Sequence, residues 1–132
     1  MELNFQMKDE GFLGELPYGE IHISGNDDFG FRPGQLMVSS IAVCSASVLK
    51  NVLKKKRLDV QDMKVTAQAT RNPDEANRIE KINIHFVIKG TGITEDVVEK
   101  AVELARKHCP MVQSVKDSIE IEENFEIIRL SI

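Results

Sequence analysis

The feature that most constrains this chain is an uncharged, apolar run from Leu36 to Leu49. Pro33 suits the first position of a helix, because its missing N–H group would be unpaired there in any case. Apolar or small residues then occupy every face of that helix, and a cluster of basic residues follows only after its end, beside the negative pole of the helix dipole. We predict one helix within 32–49 that is covered on all sides, together with the thiol of Cys44.

Length and charge limit what kind of protein this is. The 132 residues suit one domain with a sizeable core, so we predict a single domain over 1–132. The net charge of −4 argues against a nucleic-acid surface, and the basic residues from Lys50 to Arg57 are interpreted as a solvated helix end. No stretch approaches the roughly 20 apolar residues of a membrane span, and the acidic N-terminus does not resemble a signal peptide. We expect a cytoplasmic protein without a nucleic-acid or membrane partner.

Ahead of the central helix, the chain has the patterning of short strands and turns. Residues 3–7 alternate between apolar and polar side chains, which is the period of a strand with one face in water. Residues 12–16 and 21–23 predict two further short strands separated by turns. The turn-forming residues 24–31 predict an irregular loop that leads into the central helix.

Beyond the central helix, two longer segments alternate between apolar and polar residues. They cover 63–70 and 82–89, and the polar residues 72–77 between them predict an antiparallel hairpin with a longer loop. A last strand is predicted from Ile119 to Ile127. After a shift in register, this strand is expected to continue with three further apolar residues, namely Ile128, Leu130 and Ile132.

A second helix is predicted between the hairpin and the last strand. Thr94 suits its N-cap, and Pro110 ends it and begins a short turn. Cys109 closes the apolar stripe of this helix, which otherwise consists of Val98, Ala101, Val102 and Ala105. The order of elements predicts an α+β fold with mainly antiparallel pairing.

Few residues are arranged for chemistry other than that of thiols. The sequence has no phosphate-binding glycine pattern and no serine-nucleophile signature, so no cofactor is expected. His22, His85 and His108 are scattered and are interpreted as surface or hydrogen-bonded histidines. His108 and Cys109 are adjacent on a helix and point about 100° apart, so a metal site is not predicted.

The two cysteines have a structural and a functional interpretation. Cysteine is common in cores, and Cys44 and Cys109 both fit as small apolar residues. Each thiol nevertheless lies on the inward face of its own helix, so two crossing helices can bring the sulfurs within disulfide reach. The N-terminus of the turn after Pro110 would favour a thiolate at Cys109, whereas Cys44 would need a nearby cation. In a reducing compartment such a pair is either two free thiols or a transient redox couple.

The order of these elements resembles the OsmC-like family, which includes the organic hydroperoxide resistance proteins. The resemblance rests on Pro33-x-x-Leu36 followed by Cys44, on the hairpin, and on an amphipathic helix that ends with Cys109-Pro110. It implies an α+β fold in which mainly antiparallel sheets wrap around two long central helices. It also implies an intertwined homodimer with its active sites at the subunit interface.

The resemblance further implies a thiol-dependent reduction of organic hydroperoxides. The cysteine matching Cys44 attacks the peroxide, becomes a sulfenic acid and releases an alcohol. The cysteine matching Cys109 then closes a disulfide, and an external dithiol reduces it. Apolar residues around Cys44 suit a bulky alkyl peroxide, and they include Leu36, Met37, Ile41 and Val48.

One departure from the family concerns the charges beside the thiol. In the family's peroxidases, a glutamate near the start of the central helix holds an arginine from the N-terminal region, and that arginine stabilises the thiolate. The two positions that would carry the glutamate are Gly34 and Gln35 here, and Lys8 is the only permanently charged cation before Arg32. Gln35 can still form hydrogen bonds, and three arginines elsewhere are candidates for the charge, namely Arg32, Arg71 and Arg78.

Three hypotheses follow. The first is a thiol peroxidase with a slower Cys44, because a thiol without a nearby cation has a pKa near 8.5 or higher. The second is a non-peroxidatic homodimer that binds an apolar small molecule in the cavity at the subunit interface. The third is a structural dimer in which Cys44 and Cys109 are ordinary core residues.

Overall fold

In the computed structural model, which describes residues 1–131, the first part of the chain forms a small antiparallel sheet. This N-terminal unit, Met1–Met37, is one of two units, and the main unit begins at Val38. The strand order is β1-β2-β3, with β1 at Phe5–Lys8, β2 at Gly11–Glu15 and β3 at Glu20–Ile23. All three short strands predicted from the sequence are therefore present.

One face of this small sheet is apolar and largely uncovered within the chain. The register places five apolar side chains on that face, which are Phe5, Met7, Phe12, Ile21 and Ile23. Phe5 is 46% exposed and Phe12 is 48% exposed. The only buried residues of the N-terminal unit are Gly14 and Ser24, so this unit has no buried apolar side chain.

Helix α1 is Pro33–Lys55, and it extends beyond the predicted end at residue 49 because Leu53 continues its buried stripe. The members of that stripe are Ile41, Ala42, Ser45, Leu49 and Leu53. On the other side, Met37 is 40% exposed and Val43 is 59% exposed. Within the single chain, only one face of the predicted helix is therefore buried.

Helix α1 also corrects the prediction that no stretch approaches the length of a membrane span. The helix has 23 residues, and its most apolar 18-residue window has a mean hydropathy of 1.7. By length and composition, this helix is therefore long and apolar enough to cross a membrane. The central helix of a soluble protein meets the same criterion. Only 28% of that window is buried within the chain, and its exposed side carries Met37 and Val43 among polar residues.

The main unit contains a second sheet with the order β4-β5-β6. Its strands are β4 at Asp59–Asn72, β5 at Arg78–Thr91 and β6 at Glu120–Arg129. Strands β4 and β5 form the predicted antiparallel hairpin, whereas β6 lies parallel to β5. The inward residues of β5 are fully buried in the core beneath the helices, and they are Ile82, Ile84, Phe86 and Ile88.

Two helices form the crossover that a parallel pair of strands requires. They are α2 at Glu95–His108 and α3 at Pro110–Val115. The predicted apolar stripe of α2 is confirmed, with Val98, Ala101 and Ala105 buried and Cys109 buried directly after the helix. Thr94 lies at the predicted N-cap position, but its side chain makes no capping hydrogen bond.

The predicted shift of register in the last strand is wrong. Strand β6 pairs with Lys81–Gly90 of β5 without a break, and it ends at Arg129. Ile128 continues the alternation on the outer face and is 47% exposed, and Leu130 follows the strand. Ile132, which was predicted to continue the strand, lies outside the described residues. The α+β class with mainly antiparallel pairing is confirmed, with β5 and β6 as the parallel exception.

Candidate thiol site

The site begins with Cys44, which lies in the middle of α1 and is partly exposed. Cys109 lies in the short junction between α2 and α3 and is fully buried. Both are free thiols, and they are neighbours, because Cys44 contributes to the raised pKa of Cys109. The structure therefore brings together the two cysteines that the helix patterns placed on inward faces.

The ionisation of Cys109 differs from the sequence-based expectation. Burial raises the pKa of Cys109 above the ordinary value for a thiol, and its hydrogen bond to Cys44 and the charge of a Cys44 thiolate raise that pKa further. The backbone N–H groups of Val112 and Met111 lower the pKa, which is the predicted effect of the following turn. Burial outweighs them, so the net effect on the pKa of Cys109 is upward.

A buried polar contact lies next to the thiols and was not predicted. Ser45, the residue after Cys44, is fully buried, and its Oγ donates a hydrogen bond to Glu123 Oε2 at 2.9 Å. The Glu123 side chain is 3% exposed, and its Oε1 lies 3.2 Å from Nε of Arg106. A sequence signal for this contact existed, because Glu123 interrupts the apolar alternation of Ile121 and Phe125 at an inward position.

The other predicted site residues, Arg32 and Gln35, bond to partners in the N-terminal unit. Gln35 Oε1 accepts a hydrogen bond from the backbone N–H of Arg32 at 3.1 Å, which is half of a capping box at the start of α1. The Arg32 guanidinium donates to the carbonyl of Gly25 at 3.2 Å and lies 3.7 Å from a carboxylate oxygen of Asp27. These contacts give both residues a structural role in the loop and the helix start.

The other two candidate arginines bond near the hairpin loop. Arg71 donates to the carbonyl of Asn77 at 3.1 Å. Arg78 donates to the carbonyl of Ser118 and lies 3.8 Å from Glu75. A different cation, Arg106, lies three residues before Cys109 and contacts Glu123, the partner of Ser45. The sequence did not single out Arg106.

The histidines form separate contacts. His22 Nδ1 lies 2.9 Å from Lys8 Nζ in the N-terminal unit. On the outer face of the main sheet, hydrogen bonds to Asn124 and Glu126 raise the pKa of His85 above its usual 6.5. Within residues 1–131, no three side chains of histidine, cysteine, aspartate or glutamate converge on a position for a metal ion.

A cleft of about 420 Å³ lies between α1 and α2 in the main unit. Apolar side chains form one part of its lining, and they are Val48, Val52 and Leu104. Basic residues form the other part, and they are Lys55, Lys56 and His108. The cleft can therefore receive an apolar molecule, and its cations would favour one with a negative end.

Comparisons with known proteins give one consistent result. The sequence model of the OsmC family, described as OsmC-like protein, matches residues 25–124. Protein YhfA of Escherichia coli K12 is 29% identical over 120 residues, which cover 89% of this chain and 90% of that protein. The organic hydroperoxide resistance protein OhrA of Bacillus subtilis is 29% identical over 90 residues, which cover 68% of this chain and 63% of OhrA.

The fold has a close match among solved structures. A hypothetical protein from Aquifex aeolicus VF5 superposes with a TM-score of 0.87 at 27% sequence identity. The match covers 98% of this chain and 97% of the other. The two sheets and the helices are therefore shared along nearly the whole length of both chains.

Proposed function

The chain belongs to the OsmC-like protein family, and we propose that it is a thiol peroxidase that reduces organic hydroperoxides through Cys44 and Cys109. The observation that carries this proposal is that these two free thiols, from α1 and from the junction between α2 and α3, are neighbours, since Cys44 contributes to the raised pKa of Cys109. The organic hydroperoxide resistance protein OhrA, which is 29% identical over 90 residues, supports the choice of substrate class.

In the proposed reaction, Cys44 is the peroxidatic residue, because it is partly exposed whereas Cys109 is fully buried. The Cys44 thiolate attacks one oxygen of the O–O bond, and a sulfenic acid forms while the alkoxide leaves and takes up a proton as an alcohol. The thiol of Cys109 then attacks the sulfenic sulfur, so a disulfide forms and water leaves. An external dithiol reduces the disulfide, is itself oxidised and returns both thiols.

The raised pKa of Cys109 supports this division of roles. A raised pKa leaves less thiolate on Cys109 at neutral pH, so Cys109 competes less for the peroxide as a nucleophile. Neither Gly34 nor Gln35 supplies the carboxylate of the family's peroxidases, and Arg32 is already paired. We therefore expect slower attack than in a site with a cation beside the peroxidatic thiol.

We propose that the protein works as a homodimer, as the family resemblance implies. The apolar face of the β1-β2-β3 sheet and the apolar outer face of α1 both support this, because single chains rarely leave such surfaces in water. A second copy of the chain is the simplest cover for both surfaces. A cytoplasmic location is proposed with it, because free thiols are typical of a reducing compartment.

The test of the peroxidase uses the serine variants of the two cysteines. Cys44→Ser is expected to abolish consumption of cumene hydroperoxide in the presence of excess dithiothreitol, because no other nucleophile is proposed. Without reductant, the matched variant Cys109→Ser is expected to consume a single equivalent and to accumulate a sulfenic acid that a 1,3-diketone traps. Mass spectrometry of the trapped adduct identifies the modified residue. Undiminished consumption by Cys44→Ser would refute the proposal.

The cleft between α1 and α2 favours one alternative, a non-peroxidatic homodimer that binds an apolar small molecule. Its apolar and basic lining suits a fatty-acid-like compound. Under this alternative, a medium-chain fatty acid raises the melting temperature of the wild type and of Cys44→Ser equally. If both thiols also survive exposure to hydroperoxide, the binding function replaces the peroxidase. An absence of any shift in either protein removes the alternative.

A further inference from the structure

Two polar residues occupy positions in the main unit where the sequence pattern calls for apolar ones. Ser45 lies in the buried stripe of α1 between Ala42 and Leu49, and it is fully buried. Glu123 lies opposite Ile84 across the β5–β6 pair, on the inward face, and its side chain is 3% exposed. Burying a carboxylate is costly unless the carboxylate is paired and hydrogen-bonded, so its partners matter.

The partners of Glu123 belong to two different helices. Ser45 Oγ of α1 donates to Oε2 at 2.9 Å, and Nε of Arg106 in α2 lies 3.2 Å from Oε1. The ion pair with Arg106 is not aligned as a hydrogen bond, so Oε1 accepts none. The Arg106 guanidinium also donates to the carbonyl of Ile121, two residues before Glu123 on β6. The Ser45–Glu123–Arg106 network therefore ties both helices to the last strand.

Both ends of this network lie close to the thiols in the sequence. Ser45 is the residue after Cys44, and Arg106 lies one helical turn before Cys109. We infer that Ser45, Glu123 and Arg106 are positioning residues, which hold α1 and α2 at the separation that lets Cys44 and Cys109 form a disulfide. This inference rests on the proposed function, because it assigns the network to the second step of the same reaction.

Physical chemistry favours a positioning role over a gain in stability. A buried ion pair usually adds no more stability than apolar residues of the same size, but its bonds are directional and fix geometry. A disulfide needs its two Cα atoms within roughly 4.4–6.8 Å and its Cβ atoms correctly aimed, so small movements between the two helices decide whether it closes. Glu123 reaches both helices from a strand whose pairing with β5 is unbroken.

The decisive experiment measures how readily Cys44 and Cys109 form a disulfide with each other. The result is expressed as the effective concentration of one thiol relative to the other. The reduced protein is equilibrated with mixtures of reduced and oxidised glutathione, and the fraction of Cys44–Cys109 disulfide is read by mass spectrometry. This measurement needs no peroxide. Glu123→Gln keeps the shape of the side chain but removes its charge, and we expect the effective concentration to fall roughly tenfold. Ser45→Ala, which removes only the link to α1, is expected to lower it by a smaller factor.

Glu122→Gln is the matched control. Glu122 is the preceding residue of the same strand, points to the opposite face and forms an ion pair of the same length, 3.2 Å, with Lys81. Its substitution is expected to leave the effective concentration unchanged. With cumene hydroperoxide and a 1,3-diketone, Glu123→Gln is expected to shift the product from disulfide to trapped Cys44 sulfenate, while peroxide is consumed at a rate close to that of the wild type.

Each outcome is informative about one of the two claims. An effective concentration in Glu123→Gln and Ser45→Ala equal to that of the wild type would overturn the positioning role. An equal fall in Glu122→Gln would also overturn it, because the effect would then be general to the strand. If Glu123→Gln does not fold, Ser45→Ala alone decides. If the glutathione result is as expected but the wild type consumes no peroxide, the positioning role stands and the peroxidase fails.

Discussion

The N-terminal unit and the main unit use their apolar residues in opposite ways. In the main unit, the inward residues of β5 are fully buried in a core that also contains Leu49, Val98 and Cys109. In the N-terminal unit, the apolar residues also share one face of a sheet, but Phe5 and Phe12 remain nearly half exposed. The same alternating pattern therefore produces a core in one region and an uncovered surface in the other.

This difference indicates that the main unit supplies most of the stability and that the N-terminal unit is suited to assembly. Burying apolar area supplies most of the free energy of folding, so the main unit has the means to hold its own structure. A unit of 37 residues with a three-stranded sheet and no buried apolar side chain has little such free energy. Its apolar face is best explained as one side of an interface.

The largest effect is expected from the core of the main unit. Phe86 is fully buried, and Phe86→Ala should lower the free energy of unfolding by about 3–5 kcal/mol through lost transfer energy and a cavity. Urea denaturation followed by circular dichroism measures the loss. Phe12→Ala in the N-terminal unit is the counterpart, and its smaller effect should depend on protein concentration, because the side chain would act between chains. A loss as large as that of Phe86→Ala at every concentration would mean that the N-terminal unit has its own core.

The second prediction concerns assembly. Phe5 and Gln6 are neighbours on β1 and point to opposite faces of the small sheet. Phe5→Asp places a charge on the apolar face and should weaken the homodimer by at least about tenfold in Kd, which is roughly 1.4 kcal/mol. Gln6→Asp adds the same charge to the polar face and should leave assembly intact. Sedimentation velocity over a dilution series compares them. Equal behaviour of the two variants would move the interface away from this face.

The smallest effect is expected on the outer face of the main sheet. Hydrogen bonds to Asn124 and Glu126 raise the pKa of His85, so protonated His85 stabilises the fold. This contribution is complete below the unfolded pKa of about 6.5 and disappears as the pH rises through the higher pKa of the folded state. Because His85 is 38% exposed, we expect His85→Asn to cost only a few tenths of a kcal/mol at pH 5.5 and nothing at pH 9. A loss that is the same at both pH values would assign the effect to packing.

Much of the main unit was predictable because local patterns and burial agree there. The hairpin of β4 and β5, the inward stripe of α2 and the meeting of Cys44 with Cys109 all follow from periods of two and 3.6 residues. The parallel pairing of β5 with β6 was not predictable, because it depends on how the crossover places β6. Two adjacent isoleucines suggested a register shift, whereas Ile128 simply faces outward.

The candidate site was predictable only in part, for a physical reason. Thiols and apolar stripes are visible in a sequence, but a buried carboxylate is recognised only through the partners that make its burial tolerable. In the sequence, Glu123 is only a gap in an apolar alternation, and Ser45 is one small residue among several. Their hydrogen bond becomes visible only in the structure. The cover of α1 by a second chain was implied only by the family resemblance, because a sequence does not show whether its own chain or a second one covers a helix.

The parallel pairing of β5 and β6 has a consequence for how the chain reaches this state. Strand β6 lies at the end of the described chain, and it can join β5 only after α2 and α3 have crossed the sheet. Contacts between segments so far apart in the chain form slowly, because the loop must close before any contact is gained. Glu123 arrives with that strand, so its bonds to Ser45 and Arg106 are among the last to form. Under the positioning role inferred for this network, the thiols acquire their final spacing only once β6 has been synthesised and has paired with β5.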